Sequence, residues 1–456
     1  MRGEKSPPIF IGCEILLLQN PYLHILLKGK NKGFHQKERP LPMAITTITA
    51  ATSVEESGIR RNLLEDLLLK VLYLVGEMSL HEIARHLGLS YSIVEELYQR
   101  LRTEQLCQVT GMEKLEVRII TTSAGKSRAL ELLAQNQYVG PAPVSLSDYI
   151  EGIRIQSVRN MKVTPEDMKR AFEPLVLEPR ILNQLGTAVV SSRGIFLYGP
   201  TGTGKTTIAE TLSRLFYDDQ IWLPYAVEVD GQIITIYDPV LHQRVEPAAG
   251  SNHDGRWVLC RRPRVKVGGE LTIEMLDLQF NASTKFYTGP VQMKANNGLL
   301  IVDDFGRQRI SPEELLNRWV VPLDRRIDFL TLAGGQKIEI PFDLLVVFAT
   351  NLDPAKLVDE AFLRRIQTKV KIGYVTPDQF REIFRRACVQ LKLTYRAATA
   401  DDLLQIIQEE YQEPLRACYP RDIIQQIISE ARYSQKEPRA NRETLAAACR
   451  NYFLAP

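Results

Sequence analysis

One short segment decides the fold, and it reads Gly199-Pro200-Thr201-Gly202-Thr203-Gly204-Lys205-Thr206. It matches the pattern G-x-x-x-x-G-K-S/T between an apolar run that predicts a strand, residues 195–198, and a stretch that predicts a helix. Glycines let backbone N–H groups curl around phosphate oxygens, and the start of a helix adds partial positive charge. Lys205 is predicted to reach the outer phosphates of a nucleotide, and Thr206 to bind Mg²⁺. We therefore expect a phosphate-binding loop that extends to Thr207, rather than a glycine-rich turn with a chance lysine.

A second signal is an apolar run that ends in two carboxylates. Residues 299–302 read Leu-Leu-Ile-Val, and Asp303 and Asp304 follow them directly. A buried strand with this ending places one carboxylate near a magnesium ion and the second near an attacking water. We predict Asp303 as the metal-side residue and Asp304 as the general base. The weight of this signal comes from its position downstream of the phosphate-binding loop.

Three weaker polar signals follow along the chain. Asn351 ends an apolar strand predicted at 344–350, where its amide would either orient a water or make an ordinary turn. Arg364 and Arg365 close a helix predicted at 359–365, where arginines are usually solvated partners of the helix dipole. Arg421 follows a proline at the start of a later helix. Alone, none of these residues would define a site.

The order of these five elements resembles that of AAA+ ATPases across roughly residues 165–456, and most closely bacterial AAA+ proteins described as ATPases with chaperone activity. The resemblance implies an α/β P-loop core whose parallel sheet is covered by helices, a C-terminal helical lid, and binding of ATP and Mg²⁺. It implies Asn351 as sensor 1, Arg421 as sensor 2, and Arg364 or Arg365 as an arginine finger. A finger supplied in trans implies a homo-oligomeric ring, which we expect to be hexameric. Asp304 stands where the family usually carries Glu, which puts the hydrolysis rate in question.

The chain also predicts an insertion, because Lys205 and Asp303 are 303 − 205 = 98 positions apart. Strand-like runs occur within it at 232–236, 256–260 and 268–272, and the approach at 289–299 resembles the AAA+ subgroup with an inserted hairpin. The run Lys285-Phe286-Tyr287 would either grip a substrate in a central pore or pack beside a turn.

Residues 60–138 resemble a winged helix. Gly88 suits the left-handed turn between two short helices, and Ser90 suits the start of the second. That second helix carries two Glu and two Arg over 90–102, so 2 − 2 leaves no net charge where DNA phosphates would need a surplus of Lys and Arg. Residues 108–109 and 115–120 are predicted to form the two-stranded wing around Gly111. Arg118, Lys126 and Arg128 lie in or near this wing and could contact DNA phosphates, so both DNA binding and protein docking remain as alternatives.

Composition excludes several classes of protein. The chain has 456 residues, with 57 Lys and Arg against 54 Asp and Glu, which gives a net charge of +3. A net charge this close to zero gives no reason to expect binding to nucleic acid or to a membrane surface. The stretch 15–27 is too short to span a bilayer as a helix, and no export signal is expected. The six cysteines show no metal-ligand spacing and suit reduced thiols in a cytoplasmic protein.

The expected organisation has five parts. They are a disordered extension and linker over 1–59 with a possible translation start at Met43, a winged helix over 60–138, a linker over 139–164, an ATPase large domain over 165–375 and a helical lid over 376–456. The expected function is Mg-ATP hydrolysis in a ring that remodels a macromolecular client, most simply a protein. The alternatives are a DNA-directed regulator or loader and a slowly hydrolysing, nucleotide-gated scaffold.

Overall fold

The computed structural model describes residues 48–113, 116–192, 194–248, 250, 252–354 and 364–454. The possible start at Met43 and the predicted disorder up to residue 47 lie outside these ranges, as does the part of the predicted helix that precedes Arg364. Residues 48–59, which the sequence placed in the disordered extension, are packed instead. Val54 and Ile59 are buried in the same apolar core as the first helix.

The first elements are helices around a small antiparallel sheet. They are α1 Arg61–Val75, β1 Met78–Ser79, α2 Leu80–Leu87, α3 Tyr91–Thr103, β2 Cys107–Glu113, β3 Glu116–Thr121 and α4 Ser123–Gln135. Strand β3 pairs with both β1 and β2. Ser79 and Glu82 form a capping box that starts α2, and Gly88 ends it in the left-handed conformation at φ 67°. The predicted pair of helices is therefore present, followed by the antiparallel strands β2 and β3.

The segment predicted as a linker over 139–164 is instead part of the packed structure. It contains β4 Val144–Ser145 and α5 Leu146–Ile155. Val144 and Ser145 pair in parallel with Val227 and Glu228, and Tyr149 on α5 is fully buried. The proline and glycine residues near 140–143 suggested a flexible connection, but a short edge strand accepts such neighbours.

The central part of the chain alternates strands and helices. It begins with α6 Pro165–Phe172, α7 Pro179–Ser191, β5 Ile195–Tyr198 and α8 Lys205–Leu212. It continues with β6 Gln220–Pro224, β7 Ala226–Val229, β8 Gln232–Thr235, β9 Trp257–Arg261, β10 Arg264–Val267, β11 Gln279–Phe280, β12 Tyr287–Thr288 and α9 Val291–Lys294. It ends with β13 Leu299–Val302, α10 Pro312–Arg318, α11 Val320–Arg325, β14 Ile327–Thr331, β15 Lys337–Pro341, β16 Leu345–Thr350 and β17 Thr368–Lys371.

Five of these strands form one parallel sheet in the order β10-β13-β16-β5-β17. Strands β13 and β16 are buried along their whole length, which explains why both read as uninterrupted apolar runs. Alternate residues of β13 enter two separate apolar cores, one on each face of the sheet. The predicted fold class, an α/β core whose parallel sheet is covered by helices, is confirmed. Because the strands are parallel, the residues that follow β5, β13 and β16 meet at one edge.

The predicted insertion between α8 and β13 is present. Strands β11, β12, β8, β7 and β4 form a second sheet in that order, and β6 pairs with β9. The runs predicted at 232–236 and 256–260 correspond to β8 and β9. The run predicted at 268–272 is not a strand, since β10 ends at Val267. Strands β14 and β15 form a hairpin that the sequence reading missed. Along the chain, this hairpin comes between the buried strands β13 and β16.

The last part of the described chain is helical. Its elements are α12 Pro377–Gln390, α13 Ala397–Gln405, α14 Tyr419–Tyr433 and α15 Arg442–Tyr452. They enclose a core of their own that includes Phe380, Phe384 and Ile423. The helical character predicted for residues 376–456 agrees with these four helices.

Candidate nucleotide-binding site

The predicted phosphate-binding loop joins β5 to α8 as the sequence required. Gly199, Gly202 and Gly204 all have positive φ, at 143°, 78° and 93°. At Gly199 a Cβ atom would lie 2.1 Å from the carbonyl oxygen of Ile372, so only glycine fits between the loop and the chain beyond β17. Gly204 directly precedes α8. The first backbone N–H groups of a helix have no partner within the helix, so those of α8 are available to bind a phosphate at the loop.

Lys205 lies inside this loop. Its side chain is only 6% exposed, and Nζ donates a hydrogen bond to the carbonyl oxygen of Pro200 at 2.7 Å. Burial lowers the pKa of Lys205, and the carboxylates of Asp304 and Asp303 partly oppose that shift. This buried ammonium donates to a carbonyl rather than to a carboxylate, so it is well placed to pair with the negative charge of a phosphate.

Thr206 and Asp303 are brought together from different elements. The Thr206 hydroxyl on α8 donates to Asp303 Oδ1 at 2.9 Å, although the two residues are 97 positions apart. The same carboxylate oxygen accepts the backbone N–H of Asp304 at 3.1 Å. These hard oxygen atoms suit Mg²⁺, which typically binds one or two carboxylate or hydroxyl ligands and completes its shell with phosphates and water. Among the described residues there is no cluster of three His, Cys, Asp or Glu that would hold a metal alone.

Asp304 and Asn351 are neighbours at the same sheet edge. The Asn351 amide Nδ2 lies 3.4 Å from Asp304 Oδ1, so the strand ends of β13 and β16 place an amide beside the predicted base. Asp304 has the left-handed backbone conformation, at φ 48°. Asp tolerates that conformation better than most residues, because its short polar side chain can hydrogen-bond locally.

These groups line one cavity of about 970 Å³. Its lining includes residues 201–208, Asp303, Asp304 and Asn351, and also Arg421 from α14. Apolar side chains such as Leu177 and Ile181 line the same cavity. The cavity therefore combines polar groups that suit phosphates with apolar side chains that suit a flat base.

The C-terminal helices contact the phosphate-binding loop directly. The backbone N–H of Cys418 donates to the Gly202 carbonyl at 3.1 Å, and a Cβ atom at Gly202 would lie 2.7 Å from Cys418 Sγ. Arg386 on α12 donates to the Leu175 carbonyl at 3.2 Å, on the apolar side of the cavity. Sequence reasoning missed Cys418 and Arg386, since neither belongs to a motif.

Arg364 and Arg365 do not line this cavity. Arg364 is exposed just before β17. Arg365 Nε lies 2.9 Å from Asp324 Oδ2 at the end of α11. The structure thus brings Lys205, Thr206, Asp303, Asp304, Asn351 and Arg421 to one cavity and leaves the two predicted finger residues outside it.

The run Lys285-Phe286-Tyr287 packs beside a turn. Tyr287 is buried, and the Phe286 ring meets that of Tyr138 edge-on with centroids 5.7 Å apart. Lys285 donates to the carbonyl oxygen of Ala134 at the end of α4. The packing interpretation of this run is therefore correct, and these residues are engaged within the chain rather than presented to a substrate.

The start of α3, the second helix of the predicted winged helix, makes side-chain contacts with residues at and before the start of α1. Ser92 Oγ donates to the carbonyl oxygen of Thr52 at 2.8 Å, and Glu96 pairs with Arg61. Arg100 is flanked by Glu65 and Glu104, at 3.4 and 3.3 Å. In the part of the chain that the structure describes, the first turn of α3 therefore faces the segment 48–61.

Comparison with known proteins gives distant likenesses. A family described as "Domain of unknown function (DUF8689)" matches residues 376–451, less than half of the chain. Among solved structures, the chain is similar to the Thermotoga maritima RuvB Holliday junction branch migration motor, at 14% identity and TM-score 0.35 over 60% of this chain and 69% of that one. It is also similar to NtrX from Brucella abortus in complex with ADP, at 15% identity and TM-score 0.36 over 63% and 58%. No match was found among curated proteins.

The class of protein is defined by the fold and the loop rather than by these likenesses, whose TM-scores are low. A parallel sheet in the order β10-β13-β16-β5-β17, with a glycine-rich loop between β5 and α8, is an α/β P-loop fold. No helix in the described ranges is long and apolar enough to cross a membrane.

Proposed function

We propose that the chain is an ATPase of the AAA+ type that binds Mg-ATP in the cavity between the parallel sheet and the C-terminal helices. One observation carries this proposal: Lys205, Thr206, Asp303, Asp304, Asn351 and Arg421, predicted separately from the sequence, all line one cavity. The parallel sheet alone brings the ends of β5, β13 and β16 together, but it does not require carboxylates and an amide there, or Lys205 and Arg421 beside them. ATP is the favoured ligand because one cavity is lined both by a phosphate-binding loop and by apolar side chains that suit a base.

Each side chain has a role that its position supports. Lys205 would leave its hydrogen bond with Pro200 and donate to the outer phosphates. Thr206 and Asp303 would hold Mg²⁺, which when bound offsets negative charge on the phosphates. Asp304 would accept a proton from water, and Asn351, whose amide nitrogen lies 3.4 Å from the Asp304 carboxylate, would orient that water. Arg421 would contact the nucleotide from the C-terminal helices.

We further propose that the protein works as a homo-oligomeric ring, by resemblance a hexamer, in which Arg364 or Arg365 completes the site of a neighbouring subunit. Exposure of Arg364 outside its own cavity supports this role. The client is proposed to be a protein rather than DNA. The acidic partners of Arg61 and Arg100 leave α3 without a surplus of positive charge, which disfavours insertion of that helix into a DNA groove.

The test is steady-state phosphate release with Mg-ATP, followed across protein concentration. Lys205→Ala is expected to lower release by at least about 100-fold, since it removes a preorganised charge from the phosphate site. Lys337→Ala, on an exposed position of β15, is the matched control and should leave release unchanged. Activity per molecule should rise with concentration and fall in the double variant Arg364→Ala/Arg365→Ala. Parental activity in Lys205→Ala would refute the proposal.

A second candidate function, a nucleotide-gated scaffold, is favoured by one observation. Asp304 has a shorter arm than Glu and a left-handed backbone, and misplacement of a base by about 1 Å can cost about 100-fold in rate. Binding of ATP and assembly without phosphate release would identify the scaffold. Phosphate release by the parent protein that is lost in Lys205→Ala would instead support the ATPase.

A further inference from the structure

A lysine that belongs to no motif contacts the predicted metal-side carboxylate. Lys266 lies on β10, the edge strand of the parallel sheet next to β13. Its Nζ atom is 3.0 Å from Asp303 Oδ2 and 2.8 Å from Glu210 Oε1. The ammonium therefore bridges the strand that carries Asp303 and the helix α8 that follows the phosphate-binding loop.

Asp303 is fully hydrogen-bonded without any metal. Its Oδ1 atom accepts from the Thr206 hydroxyl and the Asp304 N–H, and its Oδ2 atom accepts from Lys266. The side chain of Asp303 is only 13% exposed, so an unpaired charge there would be costly. Lys266 thus supplies, within the chain, the positive charge that Mg²⁺ would otherwise supply.

The second partner of Lys266 is placed to take the ammonium away. Glu210 lies four residues after Thr206 on α8, which puts both side chains on the same face of that helix. Lys266 and Glu210 are each about half exposed, at 44% and 53%, so the lysine can move between its two partners.

We propose that Lys266 is a positioning residue that acts as an internal counter-ion to Asp303 and competes with Mg²⁺, while Glu210 draws it aside when the metal binds. This inference rests on the proposed nucleotide-binding function of the same cavity. Two cations on one carboxylate repel each other, so the ammonium raises the Mg²⁺ concentration that the site needs. The pair Lys266 and Glu210 therefore sets how nucleotide binding responds to Mg²⁺.

The two partners give changes of opposite sign. Lys266→Met removes the competing cation, and the Mg²⁺ concentration for half-maximal binding of a fluorescent ADP should fall roughly two- to fivefold, the range of a partly exposed charge interaction. Glu210→Gln leaves Lys266 with Asp303 alone, so that concentration should rise by a similar factor. Lys337→Met, an exposed lysine on β15, should match the parent. Binding in EDTA should be little changed in all variants.

The readout is binding of fluorescent ADP to the full chain, titrated with MgCl₂. Equal Mg²⁺ dependence in Lys266→Met, Lys337→Met and the parent would overturn the inference, as would a shift of the same sign in Lys266→Met and Glu210→Gln. If Lys266→Met fails to fold, the direction of the shift in Glu210→Gln decides. Failure of the parent to bind ADP at any Mg²⁺ concentration would instead refute the proposed function, which keeps the two failures distinct.

Discussion

Two clusters of buried charge in this molecule differ in how their hydrogen bonds are used. At the phosphate-binding loop, Lys205 is buried and donates a hydrogen bond to a backbone carbonyl. This site opens into a cavity of about 970 Å³. Around Arg256, both the guanidinium and its partner Asp254 are 4% exposed and bonded to each other by three side-chain hydrogen bonds.

The difference lies in where the remaining hydrogen-bonding capacity points. Arg256 Nη1 also donates to the carbonyl oxygens of Ser57 and Pro143, at 2.7 and 3.4 Å, so its groups are used within the chain. At the loop, the side chains face a space large enough for a ligand. A buried charge therefore indicates function when its surroundings leave room for a partner, and structure when the chain itself supplies all the partners.

The largest expected effect breaks the structural cluster. Arg256→Met should lower the free energy of unfolding by about 3–5 kcal/mol, because it leaves Asp254 buried without its cation. Denaturant unfolding of the purified protein measures this change. Arg154→Met is the matched control, since its pair with Glu151 is exposed, and it should cost at most about 1 kcal/mol. Equal losses in the two variants would contradict the distinction drawn here.

A second prediction concerns the turn between α2 and α3, which packs against the same cluster. A Cβ atom at Gly88 would lie 2.4 Å from the carbonyl carbon of Gly255, and Gly88 has φ 67°. Gly88→Ala should lower the free energy of unfolding by about 2–3 kcal/mol, through strain of the backbone and overpacking.

Gly335→Ala separates these two causes. Gly335 has φ 83° in the turn between β14 and β15 but no atom within 4 Å of a built Cβ, so the substitution should cost only the backbone strain, about 1–2 kcal/mol. Thermal and denaturant unfolding of both variants gives the comparison. If Gly88→Ala costs no more than Gly335→Ala, close packing of the turn against Gly255 contributes nothing.

The smallest expected effect sharpens the functional cluster. Asp304→Glu should raise phosphate release about tenfold, because the longer arm brings the base closer to the water that Asn351 orients. The gain is limited because Glu must take the left-handed conformation of Asp304. Asp230→Glu is the matched control, since Asp230 has the same φ of 48° in a turn between β7 and β8 outside the cavity.

That control variant should lose a little stability and leave phosphate release unchanged. Phosphate release in Asp304→Glu at or below the parental rate would show that the length of the Asp304 side chain does not limit turnover. In that case the left-handed backbone, rather than the missing methylene, would set the position of the base.

Much of the fold could be predicted because its signals are local. The loop, the buried strands β13 and β16, and the C-terminal helices each follow from spacing over a few residues. The hairpin of β14 and β15 was missed, although its alternating strands and the Gly334-Gly335 pair between them are a local signal that could have predicted it. The linker prediction failed for β4 because a two-residue edge strand has no periodicity to detect.

The sequence by itself determined which residues end the parallel strands, and parallel strands that share a sheet must present those ends at one edge. Asp303 and Asn351, which follow β13 and β16, could therefore be placed at one edge of the sheet before the structure, beside the loop that carries Lys205. Only the tertiary structure decided that Lys266 pairs with Asp303 and that Cys418 contacts Gly202. Those contacts join residues far apart in the chain, and their identity depends on how side chains pack in space rather than on any local pattern.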